Sequence, residues 1–202
     1  MNKWFVFTAV VSMLAVSGPS LAAGDAAAGK TKSASCVACH GADGNSMNPE
    51  WPTLAGQHPD YLVKQLRNFK DGDRNNALMS PMAAPLSDQD MQDLAAYYAS
   101  QTAKPGQADP DLVEQGRQLY RGGNMSTGVA ACIACHGPMG AGNPPANFPA
   151  LAGQHAAYTV NQLKAFKRGE RANDAGKMMQ NIAAKMSEAE MQAVASYIQG
   201  MQ

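Results

Sequence analysis

Cys36-Val37-Ala38-Cys39-His40 is followed 96 residues later by Cys132-Ile133-Ala134-Cys135-His136, and the reading of this doubled pentapeptide decides the fold. Between them the two copies hold all four cysteines of the 202-residue chain. Working outward, Leu54-Ala55-Gly56-Gln57-His58 recurs as Leu151-Ala152-Gly153-Gln154-His155. From Leu54 to Asn76, 14 of 23 positions match the segment 97 residues on, among them Tyr61/Tyr158, Gln65/Gln162, Phe69/Phe166, Gly72/Gly169 and Arg74/Arg171. Farther out, Leu86-Ser87 pairs with Met186-Ser187, Met91 with Met191 and Tyr97 with Tyr197, now offset by 100. A unit of about 90 residues is therefore written twice, as in repeat architectures. The seam, Ser100 to Pro110, carries Pro105, Gly106 and Pro110, which break helices on both sides.

Composition makes the unit helical. Aromatic residues are 6% of the chain, and the shortage of aromatic and β-branched side chains argues against a β sandwich or barrel. Ala-rich helices are the alternative. Sixteen basic and sixteen acidic side chains give a formal charge of zero, so there is no electrostatic footprint for nucleic acid. Each repeat is expected to hold three main helices. The first runs from Asp25 to about Cys39, with its counterpart starting over Asp111 to Arg121. The second follows His58 and His155 and ends at C-cap glycines Gly72 and Gly169. The last starts at Ser87 and Ser187, where Ser187 with Glu190 forms a capping box and Ser87 with Asp90 its weaker cousin. The second copy carries an extra stretch, Gly122 to Ala131, before its cysteines.

The N-terminus reads as a targeting segment. Lys3 is followed by a mostly apolar run, Trp4 to Val16, too short to span a bilayer, which needs about 20 residues. Gly18 and Pro19 then precede Ser20-Leu21-Ala22, small residues of the kind a signal peptidase reads. The expected division is a signal peptide over 1–22, an N-terminal domain over 23–104 and a C-terminal domain over 105–202. The exported chain belongs in a bacterial periplasm and is not an integral membrane protein once cleaved near Ala22.

The pentapeptide carries the chemistry. Cys-x-x-Cys-His is the attachment signature of c-type haem. Thiols at i and i+3 lie on one side of a helix and can add to two vinyl groups of one porphyrin. The adjacent His then offers a ring nitrogen to the iron. A zinc site would need a second ligand pair close by. A thioredoxin-like CxxC would need a βαβ context, and disulfides would leave the paired histidines unexplained. Two covalent haem c groups are therefore expected. A unit this small, with so few large apolar side chains, also benefits from such a cross-link. The sixth position decides the function class: a protein ligand there favours electron transfer and an open position invites oxygen or peroxide chemistry, and the methionines are the candidate ligands. Copy one offers Met79 and Met82, with Met47 and Met91 less suited; copy two offers Met178, Met179 and Met186. Met79 and Met179 each stand eight residues before a helix-start serine, whereas Met82 aligns with Ile182 and Met178 with Leu78. Only Met79 and Met179 form a pair. Pro81 disfavours helix in the residue before it, so the Met79–Met82 segment is expected to be a loop.

Taken together, the doubled CxxCH, the Leu-Ala-Gly-Gln segment and the paired methionines resemble the cytochrome c4 family. These are periplasmic dihaem c-type cytochromes built from two class-I-like domains. The resemblance implies an all-α fold of two tandem cytochrome c domains with two low-spin His/Met haems near the domain interface. It implies single-electron transport, without transformation of a substrate, between membrane-bound respiratory complexes, a donor and a terminal oxidase. It carries ligand roles onto Cys36, Cys39, His40 and Met79, and onto Cys132, Cys135, His136 and Met179. It also implies that a proline carbonyl orients each proximal His, with Pro52 and Pro149 in similar places; loop stiffening is the plainer reading of both. The alternatives from another class are a dihaem peroxidase, a thiosulfate-oxidising cytochrome, or a haem subunit of a larger dehydrogenase. His58 and His155 are expected near helix starts at the surface or near a haem propionate. Tyr97 and Tyr197 should pack on the first helix at Gly29 and Gly116. Lys64, Arg67, Lys70 and Arg74 are expected to form a solvated helix face.

Overall fold

The computed structural model describes residues 24–201, and the expected signal segment lies outside them. The described residues form two helical domains of parallel construction. The first holds α1 (Ala26–Lys32), α2 (Val37–His40), α3 (Pro59–Asp71), α4 (Met79–Ala83) and α5 (Asp88–Ala99). The second holds α6 (Val113–Gly122), α7 (Ile133–His136), α8 (Ala156–Arg168), α9 (Met178–Lys185) and α10 (Glu188–Gln199). Two isolated β-bridges, Asn124 with Val129 and Asn143 with Phe148, are the β structure among the described residues.

Local signals set the helix ends. The Asp25 carboxylate accepts from the Ala27 and Ala28 N–H groups and starts α1. Pro59 occupies the first turn of α3, where its missing N–H costs nothing. Gly72 and Gly169 close α3 and α8 in the left-handed conformation. Ser87 and Ser187 both make complete capping boxes, with Asp90 and Glu190. In each domain the first helix crosses the last, α1 on α5 and α6 on α10. Gly29 and Gly116 permit the crossings: a Cβ on either would strike the carbonyl of Asp93 or Ala193 and lie 2.8 Å from the Tyr97 or Tyr197 Cβ.

The cores differ in size. The N-terminal cluster holds Leu62, Leu94, Ala95, Tyr97 and Tyr98. The C-terminal cluster is larger, with Leu119, Tyr120, Leu163, Phe166, Ala183, Met191, Val194 and Ile198 from its helices and Val129, Met186 and Met201 from outside them. The extra stretch supplies part of this. It folds into a turn closed by the Asn124–Val129 bridge, buries Val129, and ties to α10 through Asn124 Nδ2, which donates to Glu190 Oε1 at 2.8 Å.

Two expected elements are corrected. The first helix is not continuous to Cys39: α1 stops at Lys32, a 3-10 turn covers Ser33–Ser35, and α2 is a separate turn. The Ser33 hydroxyl donates to the Lys30 carbonyl at 2.8 Å, a local bond that competes with the helix ladder. The Met79–Met82 segment is helix, not loop. Pro81 falls in the first turn of α4, where backbone N–H groups have no helical partner to lose. Asn76 Oδ1 accepts from the Leu78 and Met79 N–H groups and sets the entry.

The domains meet through reciprocal contacts, as in a two-fold interface. Arg74 donates to Tyr158 Oη at 3.1 Å and Gln162 Oε1 at 2.7 Å in the other domain. Arg171 donates to Tyr61 Oη at 2.8 Å and Gln65 Oε1 at 3.2 Å. Each guanidinium stacks on its own domain's ring, Arg74 on Phe69 and Arg171 on Phe166, at 4.6 and 4.5 Å from the centroids. Burial would push the Tyr158 hydroxyl up, but Arg74 and Arg171 outweigh it and hold Tyr158 below its ordinary value. Arg74 is thus buried in the interface and not on the expected solvated face. His58 and His155 stand at the starts of α3 and α8, as expected, and both reach across the interface rather than into solvent. His58 Nε2 lies 2.7 Å from the Ala141 carbonyl, and His155 Nε2 lies 2.8 Å from the Ser46 carbonyl.

Candidate functional site

Each Cys-x-x-Cys-His folds as a single helical turn ended by glycine. In copy one the Cys39 and His40 N–H groups both donate to the Cys36 carbonyl. Gly41 follows at φ +79°, ψ +157°, and Gly137 at φ +76°, ψ +165°, conformations essentially reserved for glycine. The chain therefore turns away immediately after the histidine, and the ring is left facing inward. His40 and His136 are 5% and 6% exposed.

Both rings are oriented the same way. His40 Nδ1 lies 3.0 Å from the Pro52 carbonyl and His136 Nδ1 lies 2.9 Å from the Pro149 carbonyl. A carbonyl can only accept, so Nδ1 carries the proton and Nε2 keeps its lone pair. Burial lowers both imidazole pKa values, against a smaller opposing effect of the proline carbonyls. The neutral form, which is the form that binds a metal, is favoured. No described residue takes up either Nε2. The proline positions expected from the family resemblance are thus in bonding contact with the histidines.

The four thiols are free and half-buried. Burial pushes the Cys132 thiol up to about 11. Cys132, Ile133 and Met179 all pack against the C-terminal core cluster, so the structure gathers the thiol, its neighbour and the candidate thioether at one core. Cys36 borders the N-terminal cluster in the same way. Met79 is half-buried at the head of α4, which packs on α3. Of the competing methionines, Met91 is a core residue, Met186 is buried, Met82 and Met178 are partly exposed, and Met47 is 97% exposed.

The residues fit haem c. Each repeat offers two free thiols one helical turn apart, a buried imidazole with an unclaimed Nε2, and a thioether. The Tyr98 hydroxyl is buried and has no hydrogen-bond partner among the described residues. Apolar side chains adjoining these donors in the chain, Val37, Leu78 and Met82 in copy one and Met178 in copy two, stand partly exposed. A large apolar macrocycle held by the thiols accounts for such surface.

Sequence reasoning missed the interface residues: Gln57, Gln154, Arg74, Arg171 and the tyrosines and glutamines they bond. The signal was present. These polar residues are identical in both copies, where solvated positions have no reason to be.

Comparison with known proteins follows the same outline. The family model for cytochrome c matches residues 26–102 and again 113–202. The chain is 51% identical to cytochrome c4 of Pseudomonas aeruginosa over 202 residues, the whole of both chains. It is 45% identical over 177 residues to the thiosulfate dehydrogenase electron acceptor of Thiomonas intermedia, covering 85% of this chain and 81% of that one. Among solved structures, reduced recombinant cytochrome c4 from Pseudomonas stutzeri superposes with a TM-score of 0.86 at 49% identity, over 89% of this chain and 100% of that one.

Proposed function

The chain belongs to the cytochrome c4 family, a dihaem electron-carrying cytochrome with two covalent haem c groups, and from that premise we propose that it carries single electrons through the periplasm to a membrane-bound terminal oxidase. In this reading Cys36 and Cys39 hold one haem and Cys132 and Cys135 the other. His40 and His136 are the proximal ligands, and Met79 and Met179 the distal ones. The domains divide at 23–104 and 105–202, after a signal peptide cleaved near Ala22. The observation that carries the reading is the mirrored pair of buried histidines, each with Nδ1 engaged by a proline carbonyl and Nε2 unclaimed.

The redox change itself belongs to the haem iron. The protein's part is to hold and bias it. The thiols of Cys36, Cys39, Cys132 and Cys135 would hold the macrocycle and the neutral imidazoles of His40 and His136 would donate from Nε2, while the proline carbonyls fix the rings' rotation and raise their basicity. A thioether from Met79 or Met179 would supply a soft, neutral donor, which favours the reduced metal over a second imidazole. An imidazole and a thioether from the same domain would together leave no open place on the metal for a small molecule, which suits a carrier and not a peroxidase. Among the described residues no helix is long and apolar enough to cross a membrane.

The test is reoxidation of the reduced, purified holoprotein by membranes containing a terminal oxidase. Fast, cyanide-sensitive reoxidation is expected; failure of such membranes to oxidise it overturns the oxidase assignment. A second reading concerns the donor. The likeness to a thiosulfate dehydrogenase electron acceptor favours reduction by a thiosulfate-oxidising dehydrogenase. Rapid reduction by such an enzyme with thiosulfate, and none by thiosulfate alone, would establish that donor.

A further inference from the structure

One peptide group links each proximal histidine to the opposite domain. The Pro52 carbonyl faces His40 Nδ1 at 3.0 Å, and the N–H of that same peptide, on Thr53, donates to Gln154 Oε1 at 2.9 Å. Gln154 Nε2 closes the clamp by donating to the Thr53 carbonyl at 2.9 Å. The mirror image is complete. The Pro149 carbonyl faces His136 Nδ1 at 2.9 Å, and the Ala150 N–H donates to Gln57 Oε1 at 2.9 Å. Gln57 Nε2 donates to the Ala150 carbonyl at 3.0 Å. The amide orientations are forced, because a backbone N–H only donates and a carbonyl only accepts. Each glutamine oxygen also accepts from the next N–H of its own chain, on His58 or His155 at 3.0 and 3.1 Å, which fixes the side chain at a helix start.

We propose that Gln154 and Gln57 are positioning residues that act in trans: Gln154 tunes the proximal His40 of the N-terminal domain, and Gln57 tunes the proximal His136 of the C-terminal domain. The inference rests on the reading of these histidines as ligands given above. A peptide whose N–H is engaged by a good acceptor is polarised, and its carbonyl accepts more strongly in turn. A stronger acceptor at Nδ1–H gives the imidazole more anionic character and a more basic Nε2. A more basic ligand favours the oxidised metal. The chain His–peptide–Gln therefore lowers the potential of each haem by means of a residue from the other domain. Docking of the domains is built into both sites.

The experiment is haem-resolved redox titration of holoprotein by NMR, comparing wild type with Gln154→Met and Gln57→Met. Gln154→Met should raise the potential of the N-terminal haem and leave the C-terminal haem unchanged. Gln57→Met should do the reverse. Polarisation strengthens a chained bond by about 10–30%, so the expected change is a factor of about 1.2 to 2 in the reduction equilibrium of the affected haem. Exchange of the His40 Nδ1 proton should quicken in Gln154→Met alone. Gln154→Glu keeps an oxygen for the Thr53 N–H and makes it a stronger acceptor, so the N-terminal potential should not rise. A shift in the haem of the mutated residue's own domain, equal shifts in both haems, no shift, or a rise in Gln154→Glu matching that in Gln154→Met would each overturn the proposal. Retention of the wild-type ligation spectrum in the variants separates these outcomes from failure of the ligand assignment itself.

Discussion

Replacing Gly29 by Ala sets two effects of opposite sign against each other. On helix propensity alone the change stabilises α1 by about 1 kcal/mol. Packing says otherwise. The new Cβ would collide with the Asp93 backbone carbonyl and sit 2.8 Å from the Tyr97 Cβ. Neither obstacle is the far end of a flexible side chain, so α1 and α5 must separate. Overpacking of this kind costs typically 1–3 kcal/mol, and with a backbone obstacle the upper end applies, about 3 kcal/mol. The difference is a net loss of about 2 kcal/mol. For a domain of this size 1 kcal/mol moves the midpoint by about 4–8 °C, so the N-terminal transition should fall by roughly 8–16 °C. Gly116→Ala repeats the experiment in the second domain, where the obstacles are the Ala193 carbonyl and the Tyr197 Cβ. Gly122→Ala is the control: it is helical, with nothing within 4 Å of the added carbon, and should be neutral or slightly stabilising. Thermal and denaturant unfolding of the holoproteins reads the result. An N-terminal domain stabilised by Gly29→Ala would refute the close-crossing argument.

The interface arginines should be coupled. Gln65 Oε1 and Gln162 Oε1 each accept from both Arg74 and Arg171, so either arginine alone leaves both glutamines partnered. Arg74→Met and Arg171→Met should each destabilise, and the double variant should lose more than their sum by about 0.5–3 kcal/mol in a denaturant cycle; strict additivity would show that the network is not shared. Acid should weaken the crossing of α1 on α5 in the first domain through an ion pair that the second domain lacks. Lys32 pairs with Asp93 at 2.5 Å, and it holds the Asp93 carboxyl down at about 2. That contribution is full above the unfolded value near 4 and disappears as pH falls through about 2. By the glycine and helix registers the second domain has buried Leu119 and Ala193 in the same two places, which do not titrate. Domain-resolved unfolding between pH 5 and 2 should therefore show the N-terminal domain weakening as Asp93 protonates, and Asp93→Ala should flatten that part of the loss; an N-terminal acid sensitivity unchanged in Asp93→Ala contradicts the assignment.

Much of the fold was legible because its signals are local. Ser87 and Ser187 cap with the residues three positions on, and Gly72 and Gly169 end helices, all through bonds within a few residues. The Gly29–Tyr97 crossing was also readable, since the same small-on-large pairing recurs at Gly116 and Tyr197. The site was legible to the extent that its chemistry lies in one pentapeptide. What escaped was long-range. Arg74 and His58 look solvated in a helical reading, and only the folded pair of domains reveals partners 84 and 83 residues away. Pro81 misled for a different reason. Its effect depends on whether it falls in a first turn or an interior, and Asn76, five residues earlier, decides that.

The central claim, two metal centres of His/Met type with Met79 and Met179 as the thioethers, is tested most directly by the optical and EPR spectra of Met79→Ala, Met82→Ala and Met179→Ala beside the wild type. Wild type and Met82→Ala should show two low-spin haems with the sulfur-to-iron charge-transfer band at full strength. Met79→Ala and Met179→Ala should each lose about half of the band and open one iron to added small ligands. A Met82→Ala protein that loses the band while Met79→Ala keeps it, or a wild type with one high-spin haem, would contradict the account.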